Sequence, residues 1–219
     1  MPKLVNYTAV VAAANLNPTI FTQSWLTKFG IFNEKDFQNQ GTLFTPLAVN
    51  ATGEGFTLMV VPERIQIGFL SSDVATRSGQ TILRRSIGKI VKELPHTPFL
   101  AVGFNFDWIL VPADPEEIAK IEKEFFISES NPLAEEFSTQ NAHFGCYLSK
   151  GFNWARLKLD IKPVTLKDRE LALQMTFNYH LDLEGEDKDK SVCSFLENWD
   201  EAYKLSEKLS NLLGKGWSK

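Results

Sequence analysis

Apolar and polar positions along the chain fall into blocks with two periods, one near 2 and one near 3.6. Leu4 to Ala14 is rich in Val and Ala with one Tyr, and predicts a first strand. Asn15-Leu16-Asn17-Pro18 ends it, because proline fixes its own φ and biases the preceding residue away from helix. Thr22 to Phe29 predicts a short helix with Thr22 as N-cap and Gly30 as its stop, and Asn33 to Phe37 a further helical turn. Three strands follow over Leu43 to Asn50, Phe56 to Val61 and Arg64 to Leu70, with a hairpin turn at Thr52-Gly53-Glu54-Gly55. The last of these alternates: Ile65, Ile67 and Phe69 share one face, Arg64, Gln66 and Gly68 the other. That is the pattern of a half-buried antiparallel strand.

From Val74 to Leu94 the period lengthens. Leu83, Ile87, Ile90, Val91 and Leu94 fall on one helical face, while Arg85, Lys89 and Lys92 fall on another. Pro95 and Pro98 stop this helix, and the apolar run Phe99 to Val111 predicts a central strand. Asp114-Pro115-Glu116-Glu117 is a helix start, with Asp at the cap, Pro in the first turn and acids facing the orphan amides. A short helix is expected within Ser128 to Phe137. Strands are expected over Ala142 to Leu148, Trp154 to Ile161 and Glu170 to Leu183. The charged stretch Glu184 to Lys190 reads as a mobile loop, after which Ser191 caps a final helix with Phe195, Trp199, Ala202, Leu209 and Leu213 inside.

Written as elements, the first part reads strand, helix, three strands, long helix, and the part from Phe99 onward reads the same. Asn15 and Asn17 after the first strand have the spacing of Asn105 and Asp107 in the second part. The order predicts an α+β fold, a mainly antiparallel sheet with two long helices and a pseudo-duplicated layout. It resembles the helix-grip or TATA-binding-protein-like layout, in which an antiparallel sheet curves around a long helix. The resemblance concerns architecture and carries no activity with it. It implies one domain of two similar lobes, about residues 1–95 and 96–219, with eight strands on one side and two long helices on the other. The Phe-rich face would be buried and the opposite sheet face available.

Composition narrows the class. At 219 residues, 43% hydrophobic and 23% charged, the chain is an ordinary globular one rather than a disordered or disulfide-framed one. A net charge of −4 argues against a generally basic nucleic-acid coat. Two cysteines, Cys146 and Cys193, read as free thiols. No signal peptide and no membrane span is expected, so the predicted location is cytoplasmic. The seventeen phenylalanines are about twice the ordinary usage, and read first as core.

Chemistry is defined mainly by missing motifs. The chain has no phosphate-cradling G-x-x-x-x-G-K-[ST], no G-x-G-x-x-G after a strand and no G-x-S-x-G elbow. His96, His143 and His180 stand singly, without metal-ligand spacing, so neither a metal nor a cofactor is expected. His143 and Cys146, three apart in a strand, point to opposite faces and do not form a nucleophile pair. Asp107, Asp160, Glu170 and Asp182 read as solvated alternates on an exposed sheet face. No catalytic residue is assigned.

Two features remain as candidate binding sites. Arg84, Arg85, Lys89 and Lys92 lie in one basic helical segment over 77–92, and Trp217 sits in a Gly-Lys-Gly-Trp tail without a burial partner in view. The leading expectation is a non-enzymatic protein that binds another protein or assembles with itself. A small apolar ligand or substrate in a Phe-lined pocket between sheet and helices is the alternative. Nucleic-acid contact through the basic segment comes third.

Overall fold

The Val/Ala run forms β1 (Lys3–Ala13) and buries Tyr7, Ala9, Val11 and Ala13, while Asn6, Val10 and Ala12 point the other way. In the computed structural model this strand sits near the middle of one antiparallel sheet. The structure describes residues 1–38, 42–112, 114, 116–126, 136, 137, 139, 142–167 and 170–215. On one side β1 pairs with β5 (Arg64–Phe69), which pairs with β4 (Phe56–Val61), β3 (Val49–Gly53) and the edge strand β2 (Leu43–Phe44) in turn. On the other side it pairs with β6 (Phe99–Leu110), followed by β9 (Leu171–Asp182), β8 (Ala155–Thr165) and the edge strand β7 (Cys146–Phe152). The order is β2-β3-β4-β5-β1-β6-β9-β8-β7, and every neighbouring pair is antiparallel. Nine strands stand where eight were expected. The extra one arises because the run from Leu43 to Asn50 breaks at Pro46: Thr45 Oγ1 donates to Ala48 O at 2.9 Å and accepts from Ala48 N at 2.9 Å. This small turn splits β2 from β3.

The helical segments divide in the same manner. Thr22 Oγ1 accepts from Trp25 N at 3.2 Å to cap α1 (Gln23–Lys28), and Gly30 follows at φ +60. The expected helix from Val74 to Leu94 is instead α2 (Ser72–Arg77), α3 (Gly79–Leu83), a π-turn over Arg84–Gly88, and α4 (Lys89–Glu93). Its first break has a cause. Trp199 Nε1 donates to Ala75 O at 2.8 Å, and a Cβ on Gly79 would stand 2.6 Å from that same nitrogen. The indole thus takes the carbonyl four residues before Gly79, where a continuous helix would have placed its own amide.

Asp114 Oδ1 accepts from Glu116 N at 2.9 Å at the start of α5 (Glu116–Ile121), which runs into a π-turn over Glu122–Phe126. The short helix expected within Ser128 to Phe137 lies for the most part outside the described residues. The charged stretch ends sooner than expected, since α6 (Lys188–Leu196) begins with Asp187 as its N-cap rather than Ser191. Asn198 Nδ2 donates to Ser194 O at 3.1 Å, and the chain breaks there before α7 (Trp199–Lys215). A side-chain amide competing for helix carbonyls is a known helix breaker.

The core lies between one sheet face and these helices. Trp199 meets Phe104 edge-on at 5.0 Å and Phe106 at 4.9 Å, and Phe195 lies 4.5 Å from Phe104. Trp154 stacks on Tyr179 at 5.6 Å. Buried polar tips find partners: Tyr179 Oη donates to Ala202 O at 3.0 Å and Trp108 Nε1 to Ser206 Oγ at 3.2 Å. The phenylalanine excess is therefore used in an interlocked aromatic layer, each ring of which contributes roughly 1.5–3 kcal/mol of burial. Among the described residues no helix is long and apolar enough to cross a membrane.

Candidate interaction surface

Strand residues alternate, so the positions between the core residues form a second face, polar over its middle and closed at Ala172, which is fully buried beside the β9 contacts of α5. Because directly opposed residues share a face, the register lays these side chains out in rows across the strands. One row runs Thr52, Thr57, Gly68, Thr8, Asn105, Asn178, Lys158, Ser149 from β3 to β7. The next runs Asn6, Asp107, Thr176, Asp160, Tyr147 from β1 to β7. On the other flank Gln66, Val10, Gly103, His180 and Arg156 form a third.

The middle of this face is wired together. Asn178 Nδ2 donates to Asn105 Oδ1 at 2.8 Å, and Asn105 Nδ2 donates to Thr8 Oγ1 at 3.1 Å. In the adjacent row Asn6 Nδ2 donates to Asp107 Oδ2 at 2.8 Å and Thr176 Oγ1 to Asp107 Oδ1 at 2.7 Å. Gln174 Nε2 in turn donates to Thr176 Oγ1 at 3.2 Å. Both oxygens of Asp107 are thereby held, and three strands are tied through side chains as well as backbone. A network of this kind fixes the rotamers of its members and leaves their remaining lone pairs and protons directed outward.

Charge on the face is mixed rather than one-signed. Arg64, Arg156, Lys158 and Lys162 lie among Asp107, Asp160 and Asp182. Lys162 Nζ contacts Asp160 Oδ2 at 2.9 Å, and His180 Nε2 lies 2.9 Å from Asp182 Oδ1. A phosphate-binding surface would carry an excess of cations. The chemistry on offer here is hydrogen bonding at fixed strand spacing, flanked by paired charges.

The residues singled out in the sequence occupy a different region. Arg84 forms a 2.9 Å ion pair with Glu197, both side chains being more than half exposed. The Arg85 guanidinium lies 5.7 Å from the Phe56 ring centre, and its buried Nε has no hydrogen-bond partner among the described residues. Lys89 Nζ donates to Phe29 O at 3.1 Å, closing the C-terminal end of α1. Lys92 is exposed on α4, beside Arg84, Cys193 and Glu197. The segment is thus one neighbourhood, but Arg84, Arg85 and Lys89 spend contacts within the molecule. Trp217 lies outside the described residues.

Glu122, buried in the π-turn after α5, accepts from Phe144 N at 3.2 Å and lies 3.0 Å from His143 Nδ1. Burial, with Asp160 nearby, pushes the Cys146 thiol above its ordinary pKa, and burial does the same for Cys193. Neither thiol is prepared as a thiolate nucleophile. Among the described residues no group of His, Cys, Asp and Glu is arranged to hold a metal ion.

Sequence reasoning passed over the amide rows, although their signal was present. Asn6 and Thr8, Asn105 and Asp107, and Gln174, Thr176 and Asn178 are polar residues two apart inside otherwise apolar strands. The strand order that brings three such sets side by side is not written in any one of them. No protein-family model matches the chain, and no curated protein matches it either.

Proposed function

We infer that this is a non-enzymatic binding and assembly protein, and that it engages a protein partner on the polar face of its sheet. One observation carries the reading: the hydrogen-bonded rows built on Asn105 and Asp107 at the centre of that face. Side chains already held by their neighbours lose little freedom on association, which lowers the entropic cost of binding. The mixed charge fits a protein surface of equally mixed charge better than a polyanion. Two unpaired thiols agree with a reducing, cytoplasmic setting.

The layout belongs to the same proposal. β1 and β6 lie side by side at the centre, flanked by β5 and β9, then β4 and β8, then β3 and β7. This order supports two lobes, about 1–95 and 96–219, of the TATA-binding-protein-like kind. Such a layout would place equivalent strands of both lobes under one partner.

A photo-crosslinking amino acid placed at Gln66 or Lys158, on the open face, tests the reading against one at Lys208 on α7. Capture of one protein from the open-face positions, abolished by Asn105→Arg, is the expected result. Crosslinks equal from all three positions, or crosslinked material destroyed by nuclease, would refute it.

A further inference from the structure

We propose that the free edge of β7 pairs with the same edge of a second copy, joining two nine-stranded sheets into one. β7 ends the sheet, and among the described strands it pairs with β8 alone. Asn153 and Trp154 form a two-residue turn, so Phe152 and Ala155 close the hairpin as a hydrogen-bonded pair. Bonded residues alternate along an antiparallel strand. Phe152, Lys150, Leu148 and Cys146 therefore bond inward to β8, and Tyr147, Ser149 and Gly151 direct their N–H and C=O groups outward.

The two ends of the sheet are protected differently. β2 is two residues long and Pro46 follows it closely, the kind of short edge that resists pairing. β7 has seven residues and no proline, with Tyr147 61% and Leu148 55% exposed. A seven-residue edge without proline or register shift, with one charge at Lys150, is a template for another strand.

The edge is complementary to itself about Ser149. Two antiparallel copies with Ser149 opposite Ser149 bring Tyr147 against Gly151 and Leu148 against Lys150. In that register each residue with outward backbone groups meets another of the same kind, so the ladder closes without a slip. The tyrosine ring covers a glycine beside which nothing lies within 4 Å of an added Cβ. Lys150, the one charge on the strand, faces Leu148 of the other copy instead of itself, and its methylene stem covers that leucine. The two-fold axis of an antiparallel pair stands perpendicular to the sheet. Both open faces then point the same way, which makes the dimer bivalent toward any partner of that face. The inference stands apart from the proposed function, since it rests on the edge and not on the amide rows.

Sedimentation equilibrium of the full chain in the micromolar range tests it. The expected species has twice the 24.7 kDa chain mass. Ser149→Pro, which removes the amide on the axis, is expected to weaken association at least tenfold. Leu148→Lys, which sets lysine against lysine without touching the backbone, is expected to do the same with an unchanged circular dichroism spectrum. A monomeric wild type, or a dimer that Leu148→Lys leaves intact, would overturn the proposal. Asn105→Arg is expected to leave the dimer unchanged, so a failure of this inference is distinct from a failure of the open-face reading.

Discussion

At the scale of single residues, the molecule is held by polar tips on large aromatic groups. Tyr179 is the clearest case: its ring stacks under Trp154, its hydroxyl bonds to Ala202 O, and burial with Glu201 nearby pushes its pKa well up. Tyr7 and Tyr203 are shifted upward too, by burial first. A phenol whose folded pKa is raised keeps its full contribution below its unfolded value and loses it as pH rises through the folded one. Stability to urea should therefore hold to about pH 10 and fall above it. Tyr179→Phe should cost about 1 kcal/mol at neutral pH and flatten the alkaline fall, both read from urea titrations. The Gly79 contact gives a second expectation. Gly79→Ala places a methyl against the Trp199 indole and should cost about 1–3 kcal/mol, measured by the same titration. The thiols complete this scale, since burial raises both. Alkylation by iodoacetamide at pH 7 should be slower at Cys146 and Cys193 than at a free thiol, and should accelerate as pH rises past the ordinary thiol range.

At the scale of elements, the strands of the first half were more legible than the helices. In the second half, the strand expected over Ala142 to Leu148 runs Cys146–Phe152, leaving His143 before it. The one expected over Trp154 to Ile161 runs Ala155–Thr165 after a turn at Asn153-Trp154. Phe56 to Val61 is a strand at both ends as its alternation and Pro62 require, and Arg64 to Leu70 differs by one residue. β1 and β6 likewise follow from unbroken apolar runs closed by Asn-Pro and Pro signals. The long helices were legible in period but not in continuity. Ser78 and Asn198 mark the breaks, yet what interrupts the first is Trp199, more than a hundred residues away. A local pattern does not contain a contact of that range. The basic segment shows the same limit from the functional side. Its spacing was visible, but the partners of Arg84, Arg85 and Lys89 are the residue capping the end of α6, a ring of β4 and the carbonyl capping the end of α1, and nothing nearby in sequence. The amide rows were visible only as polar alternates, one strand at a time. Asn105→Val should leave Asn178 and Thr8 without partners and cost roughly 1–2 kcal/mol, less than a core truncation because the face is part-exposed. Thermal unfolding of that variant beside Phe106→Ala, expected to lose about 3–5 kcal/mol, separates the two faces of one strand.

At the scale of the whole molecule, the sheet divides labour between its faces. One face with its helices supplies the aromatic core, and the stability of the fold lies there. The other face carries the hydrogen-bonded polar rows, and the two edge strands differ in length, two residues in β2 against seven in β7. On the two proposals above, one chain would meet a protein partner on its polar face and a second copy along β7. These two proposed uses would not compete, because edge pairing would leave the polar face clear. Protein binding on the open face is a proposal that the mass of the purified complex decides. Native mass spectrometry of gently purified, untagged protein tests it most directly, with wild type and Asn105→Arg compared at matched folding by circular dichroism. The expected mass is that of one or two chains plus a protein partner, with the partner lost from the variant. Excess mass of a small molecule or a nucleic acid, or a partner retained equally by Asn105→Arg, would contradict it.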